Sequence, residues 1–583
     1  MQTKHHPPHI PDMLLAASPL VLAVVLYGFT VGLPFFRDDL IIVPLLERVS
    51  VLDVWLRPSG IFDFYRPSAF TAWKLLSRFG GPDPALFHWV NVLAFGMCGV
   101  LAGQAVRAVG LRSRWAAAAI GWMVILWPFR FAAVVWVWAV FHGVGGVGLL
   151  MCLVGLLRYV RGAGAGWLLV AYGSAFVGVF SLESGFVLAG LASVFAVLVG
   201  KWRRRAVLAA IPAASIAGLY LIAWASLPDD SGGLDIPDAV LPRVMNLAQG
   251  LAYPLGAALA RVTPPITPTE QHSLIALTLL GPLAALVLLR GRARWLGLGA
   301  VLWYVLAALP SALLLTTDYV LGAPRLSFLA SIGAAAMWGA VAVDGRWRLV
   351  RWLGCGYILA AVIVGGVFLR AKRADFIRLA DYSRALMTYQ ETLTATDAPR
   401  TMLMNAPFGL VPYERTFLSG AEGALIMQRQ FHYNNFVAVN ARVPSGEGIF
   451  ASTRFTGHLL QQREDAFFTP FGAEEVSGAA LYEDLLETDR VLMTDFIGDG
   501  DFVAVMTGGV LRERPESEPR VTFDDGRVML YDARATITSS HSTWTNSFTA
   551  SGVACHHVRS TSRLPFALIV ARASYNITRP SSN

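Results

Sequence analysis

Long runs of apolar residues, separated by short polar turns, fill the first two thirds of the chain. A helix of roughly 20 apolar residues crosses a hydrocarbon core about 30 Å thick. By this measure the pattern predicts eleven membrane-spanning helices: 13–33, 85–106, 114–129, 135–157, 166–182, 185–200, 206–227, 272–290, 295–314, 325–343 and 351–370. The sequence therefore predicts an α-helical polytopic membrane domain over 13–370, with a long first loop at 34–84.

The pattern changes from about residue 371, where polar and apolar residues mix as in a soluble domain. Residues 375–397 resemble a polar helix, and the apolar run 401–404 predicts a buried strand. Two hairpins are predicted, one turning at Gly508-Gly509 and one joining 521–523 to 528–531. The segment 371–583 is thus expected to be a soluble α/β domain, which would have enough residues for its own core.

Composition supports an integral membrane protein. Hydrophobic residues make up 55% of the chain and charged residues 15%, with a mean hydropathy of +0.54. A soluble domain carries about 25% charged residues. The net charge of +8 does not indicate a nucleic-acid partner, because most of the arginines stand in short loops between apolar runs.

These basic clusters occupy alternate loops: 107–114, 158–161, 201–205, 290–294 and 346–351. By the positive-inside rule these loops are cytoplasmic. The N-terminal segment 1–12 is then cytoplasmic and the C-terminal domain extracytoplasmic, as expected in a bacterial plasma membrane. The first span lacks a cleavage site and is expected to remain as an anchor. Lys372 and Arg373 depart from the rule.

No cofactor is indicated by the sequence. Cys98, Cys152 and Cys355 fall in apolar spans and Cys555 stands alone, so neither a disulfide framework nor a zinc site is supported. No residue pattern indicates a divalent metal, although the need for one stays open.

Two adjacent carboxylates, Asp38 and Asp39, follow the first span within a few residues. Carboxylates near a bilayer cost free energy unless they are hydrated, paired or used in function. With the predicted topology, the pair faces outward, where a lipid-linked substrate could reach it. The alternative is an ordinary polar boundary after a helix.

Other polar residues fall on the same predicted outer side: Tyr65, Arg66, His88, Asn91, Arg130, Glu183, Tyr319 and Arg325. Each has a structural alternative. His88 and Asn91 share one helix face and could bind loop backbone instead, while Glu183 could be a solvated turn residue. His142, in a glycine-rich span, is assigned to helix packing, and Trp136 to an interfacial aromatic belt.

Five short motifs lie in order between 13 and 345: Asp38-Asp39, Tyr65-Arg66-Pro67, Phe87-His88-Trp89-Val90-Asn91, Ser181-Leu182-Glu183 and Arg325-Leu326-Ser327-Phe328-Leu329-Ala330. Together they resemble the GT-C superfamily of membrane glycosyltransferases, particularly the transmembrane O-mannosyltransferases that carry TPR repeats and their bacterial relatives. The relatives also have a His-Pro-x-His-x-Glu corner, but this chain has Pro128-Phe129-Arg130-Phe131-Ala132-Ala133 in its place. The TPR array is also absent, so neither the sugar nor the acceptor carries over.

The resemblance implies transfer of a sugar from a polyprenyl-phosphate donor to a glycan, lipid or protein acceptor on the outer face. One carboxylate of the pair is expected to be the general base and the other an orienting group, with Asp38 the first choice for the base and Asp39 the second. Arg66, Arg130 and Arg325 are candidates for the leaving phosphate, and Arg325 is favoured. A flippase for a lipid-linked glycan and an inactive GT-C scaffold remain as alternatives. Polar residues gathered at one face favour the enzyme, since transporters bind their cargo near the midplane.

Overall fold

The computed structural model describes residues 10–36, 38–56, 65–111, 113–226, 240–262 and 267–387, the segment 417–419, and short strands between 401 and 557. Its contacts divide the chain into two units. The first comprises Met1–Val31, Leu45–Arg373 and Pro412–Gly423, and the second Gly32–Pro44, Ala374–Val411 and Ala424–Asn583. Helices dominate the first unit.

Eighteen α-helices are described: α1 Ile10–Tyr27, α2 Asp39–Arg48, α3 Val51–Leu56, α4 Pro67–Gly80, α5 Pro84–Val109, α6 Arg114–Leu126, α7 Phe131–Val135, α8 Val140–Val160, α9 Gly166–Val179, α10 Gly185–Val199, α11 Arg204–Ala225, α12 Val240–Ala248, α13 Leu255–Val262, α14 Pro268–Val287, α15 Gly291–Leu314, α16 Thr317–Leu321, α17 Phe328–Asp344 and α18 Arg348–Met387. Short 3-10 helices cover Gly28–Gly32, Pro128–Arg130, Val137–Ala139, Gln249–Ala252 and Pro324–Ser327.

Within these described ranges, eight helices are long and apolar enough to cross a membrane. A ninth candidate is the pair Arg114–Leu126 and Pro128–Val135, which is bent by 56°. Helices α9 and α10, at 14 and 15 residues, are shorter. At 1.5 Å per residue they span about 21–23 Å, less than a core of about 30 Å. The chain is an integral membrane protein, and the count of eleven spans stays a prediction.

Glycines allow neighbouring helices to approach closely in this unit. A Cβ atom added to Gly148 of α8 would lie 2.6 Å from the backbone nitrogen of Gly178 in α9. One added to Gly121 of α6 would lie 2.8 Å from the carbonyl oxygen of Gly99 in α5. Small residues at such crossings let membrane helices pack by van der Waals contact. The polar residues at the helix ends are brought together as a result.

The predicted cytoplasmic loops contact one another at one end of the helices, which we call the basic end. Arg161 donates to the carbonyl of Arg107 at 3.5 Å, and Arg205 to that of Ala163 at 3.0 Å. The Arg346 amide donates to the carbonyl of Leu288 at 3.0 Å. This grouping agrees with the alternation of basic loops along the sequence. The side of the membrane that the basic end faces stays a prediction.

Topology can be tested with reporters that work only outside the cytoplasm. We expect activity when the reporter is fused after residue 375 and none when it is fused after residue 203, because the basic loops stay inside. The two fusions control for each other, since both follow an apolar helix. The opposite pattern would invert the proposed orientation.

Residues 41–56 and 239–262 mix apolar and charged side chains in a helix-like rhythm, which predicts helices lying along the membrane interface, the second with Arg243 and Arg261 as polar companions. Both segments are interrupted in the structure. The rhythm of 41–56 becomes two helices, α2 and α3, and Lys74 donates to the carbonyls of Leu46 and Val49 at the end of α2. The segment 239–262 is likewise divided by the 3-10 turn Gln249–Ala252. Arg243, expected as a polar companion on an interfacial face, is instead fully buried and donates to the Leu315 carbonyl at 2.7 Å. That correction reflects packing of α12 against other helices.

The strands are β1 Thr401–Met404, β2 Val411–Glu414, β3 Glu422–Ala424, β4 Gln461–Arg463, β5 Ala466–Phe468, β6 Glu475–Val476, β7 Arg490–Ile497, β8 Asp501–Val510, β9 Arg520–Phe523, β10 Val528–Leu530 and β11 His556–His557. The largest sheet has the order β1-β7-β8-β9-β10, with β11 also paired to β8. Strand β1 is parallel to β7, and the other pairs of this sheet are antiparallel.

The predicted strand at 401–404 and the hairpin of β9 and β10 are present. The turn predicted at Gly508-Gly509 is wrong, because β8 runs through both glycines and Gly508 lies opposite Arg490. The hairpin instead joins β7 to β8 across 498–500, whose sequence Gly-Asp-Gly is the stronger turn signal. Helix α18 reaches Met387, and the rest of the predicted helix 375–397 lies outside the described residues. An α/β domain at 371–583 stays a prediction.

Candidate functional site

At the helix ends opposite the basic end, charged and aromatic side chains of the first unit form a connected group. We call it the polar cluster, and its members are Arg66, Arg130, His142, Glu183, Tyr319 and Arg325. Five of these six were singled out from the sequence. None of its residues lies in a group of three or more His, Cys, Asp or Glu that could hold a metal, as far as the described residues extend.

Arg66 and Glu183 form a bidentate ion pair in the cluster. Arg66 Nε and Nη2 donate to the two carboxylate oxygens of Glu183 at 2.7 and 2.8 Å. The Arg66 guanidinium also lies 4.0 Å from the ring centroid of Phe141. The alternative that Glu183 is a solvated turn residue is therefore wrong, because its carboxylate is bound by a buried arginine.

The turn between α9 and α10 places Glu183. Gly185 begins α10 where a Cβ atom would lie 2.7 Å from the carbonyl oxygen of Gly178, so the two helices can approach closely only with glycine there. The Ser68 amide, two residues after Arg66, donates to the Phe180 carbonyl in this turn at 3.0 Å. This backbone contact brings the start of α4 to the turn, and the ion pair follows from it.

Arg325 lies in the 3-10 turn Pro324–Ser327 that precedes α17. Its side chain is 3% exposed, with Nη2 donating to the Tyr319 hydroxyl at 3.0 Å. Its guanidinium carbon lies 4.7 Å from the ring centroid of Trp136. Tyr319 is 42% exposed, so the hydrogen bond joins a buried cation to an accessible hydroxyl. This geometry leaves the cation near a surface that a ligand could approach.

Arg130 is held by neutral partners. Its Nε and Nη2 donate to Ser331 Oγ at 2.9 and 2.6 Å, and its guanidinium carbon lies 5.1 and 4.8 Å from the ring centroids of Phe95 and Phe328. These contacts join the turn after α6 to α17. Among the described atoms its Nη1 has no hydrogen-bond partner. Most contacts of the Arg130 side chain therefore serve to position helices. Only its Nη1 atom is available to bind a ligand.

His142 connects the two arginine sites, although the sequence assigned it only to packing. Its ring centroid lies 4.4 Å from that of Phe141 and 5.7 Å from that of Phe328. The charges of Arg66 and Arg325 both act on its imidazole. The position of His142 could have identified it as a candidate, since it lies at the end of α8 that faces the other candidate residues, away from the basic end.

His88 and Asn91 lie near the start of α5, a helix that is capped by the Asp83 side chain accepting from the Ala85 amide. Asn91 Nδ2 donates to the carbonyls of Val134 and Trp136 at 3.3 and 3.0 Å. These carbonyls lie where α7 ends and the 3-10 helix Val137–Ala139 begins. His88 is fully buried. The contacts of Asn91 match the structural alternative that the sequence left open, which is bonding to loop backbone.

Tyr65 also has structural contacts. Its carbonyl accepts from the Tyr220 hydroxyl at 3.3 Å, and its own hydroxyl donates to the Trp55 carbonyl at 3.4 Å. Burial raises the pKa of the Tyr65 phenol above its usual value. These bonds attach the first loop to α11.

Asp38 and Asp39 belong to the second unit. Asp39 is 0% exposed, and one of its carboxylate oxygens accepts from the Phe36 amide at 3.3 Å. Asp38 is partly exposed, and its carbonyl accepts from the Ile42 amide at the start of α2. The two carboxylates therefore differ in accessibility, although they are adjacent in sequence.

Lys372 is a further residue that the sequence did not propose for a site. It is 3% exposed within α18. Buried lysines in membrane proteins are costly and are retained for pairing or function. Its departure from the positive-inside rule could have identified Lys372 as a candidate, because a basic residue on the predicted outer side needs a local reason.

We expect Glu183→Gln to lower stability by on the order of 3 kcal/mol, because it leaves the Arg66 cation buried without its counter-charge. A thermal melt in mild detergent measures this. The double variant Arg66→Met with Glu183→Leu should recover most of the loss, since apolar replacement of a buried pair is often neutral. A double variant as unstable as the single one would show that the pair itself contributes the stability.

No protein-family model matches the chain, and no curated protein matches it. Among solved structures, the chain is similar to the crystal structure of ArnT from Cupriavidus metallidurans bound to undecaprenyl phosphate. That match has a TM-score of 0.35 and 14% sequence identity, and it covers 74% of this chain and 88% of that chain. So low a TM-score does not establish a shared fold, and function has to be argued from the residues of this chain.

Proposed function

We propose that the protein is a GT-C type glycosyltransferase that moves a sugar from a polyprenyl-phosphate donor to an acceptor at the outer face of a bacterial plasma membrane. The proposal includes eleven spans, a cytoplasmic N-terminus and an extracytoplasmic C-terminal domain. It draws on the motif order in the sequence and on the contacts of the polar cluster. The sugar and the acceptor are left open.

The observation that carries the proposal is the environment of Arg325. Throughout the described part of the chain, no carboxylate lies within ion-pair distance of this buried guanidinium. A buried cation is costly unless an anion accompanies it. The planar guanidinium can bind two oxygens of a phosphate at once. A phosphate at the level of the membrane surface would supply the missing charge.

The reaction assigned to the site balances as a displacement at the anomeric carbon. The acceptor hydroxyl oxygen forms the new bond to that carbon, and the bond from the carbon to the phosphate oxygen breaks. The electron pair leaves with the polyprenyl phosphate, whose negative charge Arg325 stabilises. The hydroxyl proton passes to a carboxylate.

Asp38 is assigned as that base and Asp39 as the group that orients it. The partial exposure of Asp38 supports the first role, because a base must reach the acceptor. The backbone hydrogen bond and full burial of Asp39 support the second. Arg66, Glu183, His88, Asn91, Tyr65 and Arg130 are assigned to shaping the substrate site, and Tyr319 to holding Arg325.

A flippase for the same lipid-linked sugar is the second candidate. It would use the same phosphate contact at Arg325 but would need no general base. Transporters hold their cargo near the midplane, whereas the polar cluster lies at helix ends. The two candidates therefore differ in what happens to the sugar–phosphate bond.

Mass spectrometry of surface glycans and extracted lipids tests the proposal. Cells carrying Asp38→Asn should lose one outer-face glycan species and accumulate its polyprenyl-phosphate donor, compared with cells carrying the wild-type protein. A flippase would lose the same glycan only when the protein is removed, and Asp38→Asn would leave it unchanged. That second result would reject the transferase.

A further inference from the structure

A cavity of about 580 Å³ lies between five helices of the first unit, from their middle toward the basic end. It is lined by the later parts of α5 and α10, the middle of α8, and the first halves of α15 and α17. Its walls are almost wholly apolar and include Ala105, Leu153, Phe195, Ala300, Trp303 and Ala336. This space is separate from the residues of the polar cluster.

The cavity is partly open to the surroundings of the helices, so a ligand can enter it from outside. Water fills a cavity only when two to four polar partners bind it, and an apolar wall offers none. The volume falls within the range of about 300–1,000 Å³ that is common for ligand pockets. An apolar chain from the surrounding membrane satisfies both the size and the lining.

The mouth of the cavity carries a positive charge. Lys201 is among the lining residues and is exposed, and so its amine can reach the rim. Arg203, Arg204 and Arg205 follow, but none of them lines the cavity. Basic residues next to membrane helices attract anionic lipid headgroups. The charge therefore selects an anionic lipid over a zwitterionic one.

The backbone at the mouth is also unusual. Lys201 has φ of 53° and Trp202 has φ of 56°, in the left-handed region that non-glycine residues seldom adopt. Strained conformations of this kind persist where a site benefits from them. Trp202 is 72% exposed and Trp295, which lines the cavity, is 76% exposed. Exposed tryptophans at a mouth suit the headgroup level of a bilayer.

We propose that the cavity binds one acyl chain of an anionic glycerophospholipid, with Lys201 on the headgroup phosphate. The lipid belongs to the leaflet at the basic end. The site is independent of the donor site assigned to Arg325, which lies at the other end of the helices. The bound lipid fills the gap between α10 and α15 and stabilises their packing.

Native mass spectrometry of the full-length protein in detergent tests this with two probes, dioleoyl phosphatidylglycerol and dioleoyl phosphatidylcholine. Wild-type protein should retain one phosphatidylglycerol in preference to phosphatidylcholine. Lys201→Asn removes the charge but keeps a residue that tolerates the left-handed backbone. It should weaken retention of phosphatidylglycerol about five- to tenfold, with little effect on phosphatidylcholine.

Two further variants complete the design. Arg204→Gln removes one charge close to Lys201 without changing the lining of the cavity. It should keep the preference for phosphatidylglycerol over phosphatidylcholine. Ala336→Phe narrows the cavity and should reduce retention of both lipids, with a thermal melt to confirm that the variant folds. Equal retention of both lipids by the wild type, or equal effects of Lys201→Asn and Arg204→Gln, would overturn the proposal. A co-purified polyprenyl phosphate in this cavity would overturn it as well.

Discussion

Replacing Asp38 by Asn is expected to lower the rate of sugar transfer about 10²–10⁴-fold, which is the usual contribution of a general base. Asparagine keeps the size of the side chain and one acceptor oxygen, but it cannot take the proton of the acceptor hydroxyl. Protein level and donor binding should survive. The measurement is turnover of purified protein with a polyprenyl-phosphate-linked sugar.

Glu47→Gln is the control, because it removes an exposed carboxylate from α2, the helix that begins directly after Asp38. It should keep near-normal turnover. Asp39→Asn should reduce turnover less than Asp38→Asn if its role is to orient the base. Near-normal turnover of both Asp38→Asn and Asp39→Asn would show that the acidic pair is a membrane boundary.

Arg325→Lys is expected to weaken binding of the donor about 10- to 100-fold, in line with the loss of a charged hydrogen bond at a phosphate. Lysine keeps the positive charge but cannot bind two phosphate oxygens in a fixed plane. It also cannot reproduce the hydrogen bond to Tyr319 together with the contact on Trp136. Titration with a short-chain polyprenyl phosphate measures the change in Kd.

Tyr319→Phe separates positioning from charge at the same site. It keeps the ring beside Arg325 and removes only the hydroxyl that accepts from Nη2. Tyr319→Phe is expected to lose less affinity for the donor than Arg325→Lys. Arg294→Lys, an exposed change at the basic end, should leave the Kd unaltered. Unchanged affinity in Arg325→Lys would contradict the phosphate assignment.

Contacts between residues distant in sequence explain why the site was only partly predictable. Arg66 and Glu183 were both candidates, yet they are 117 residues apart, and nothing local shows that they pair. Their contact depends on the tight turn at Gly185 and on the amide of Ser68. His142 was passed over because single polar residues in apolar helices are usually structural. Lys372 was noted only as a departure from the positive-inside rule, because the predicted last span ended at residue 370.

The sequence by itself determined that this is a helical membrane protein and roughly where its apolar helices lie. Apolar runs and basic clusters are local patterns, and the membrane imposes helix length and charge placement directly. Tertiary structure alone decided which polar side chains meet, because close helix packing at glycines sets those contacts. It also decided that Asn91 binds backbone, that β8 continues through Gly508, and that an apolar cavity remains between α10 and α15. Those outcomes depend on how distant segments fill space together, which no local pattern specifies.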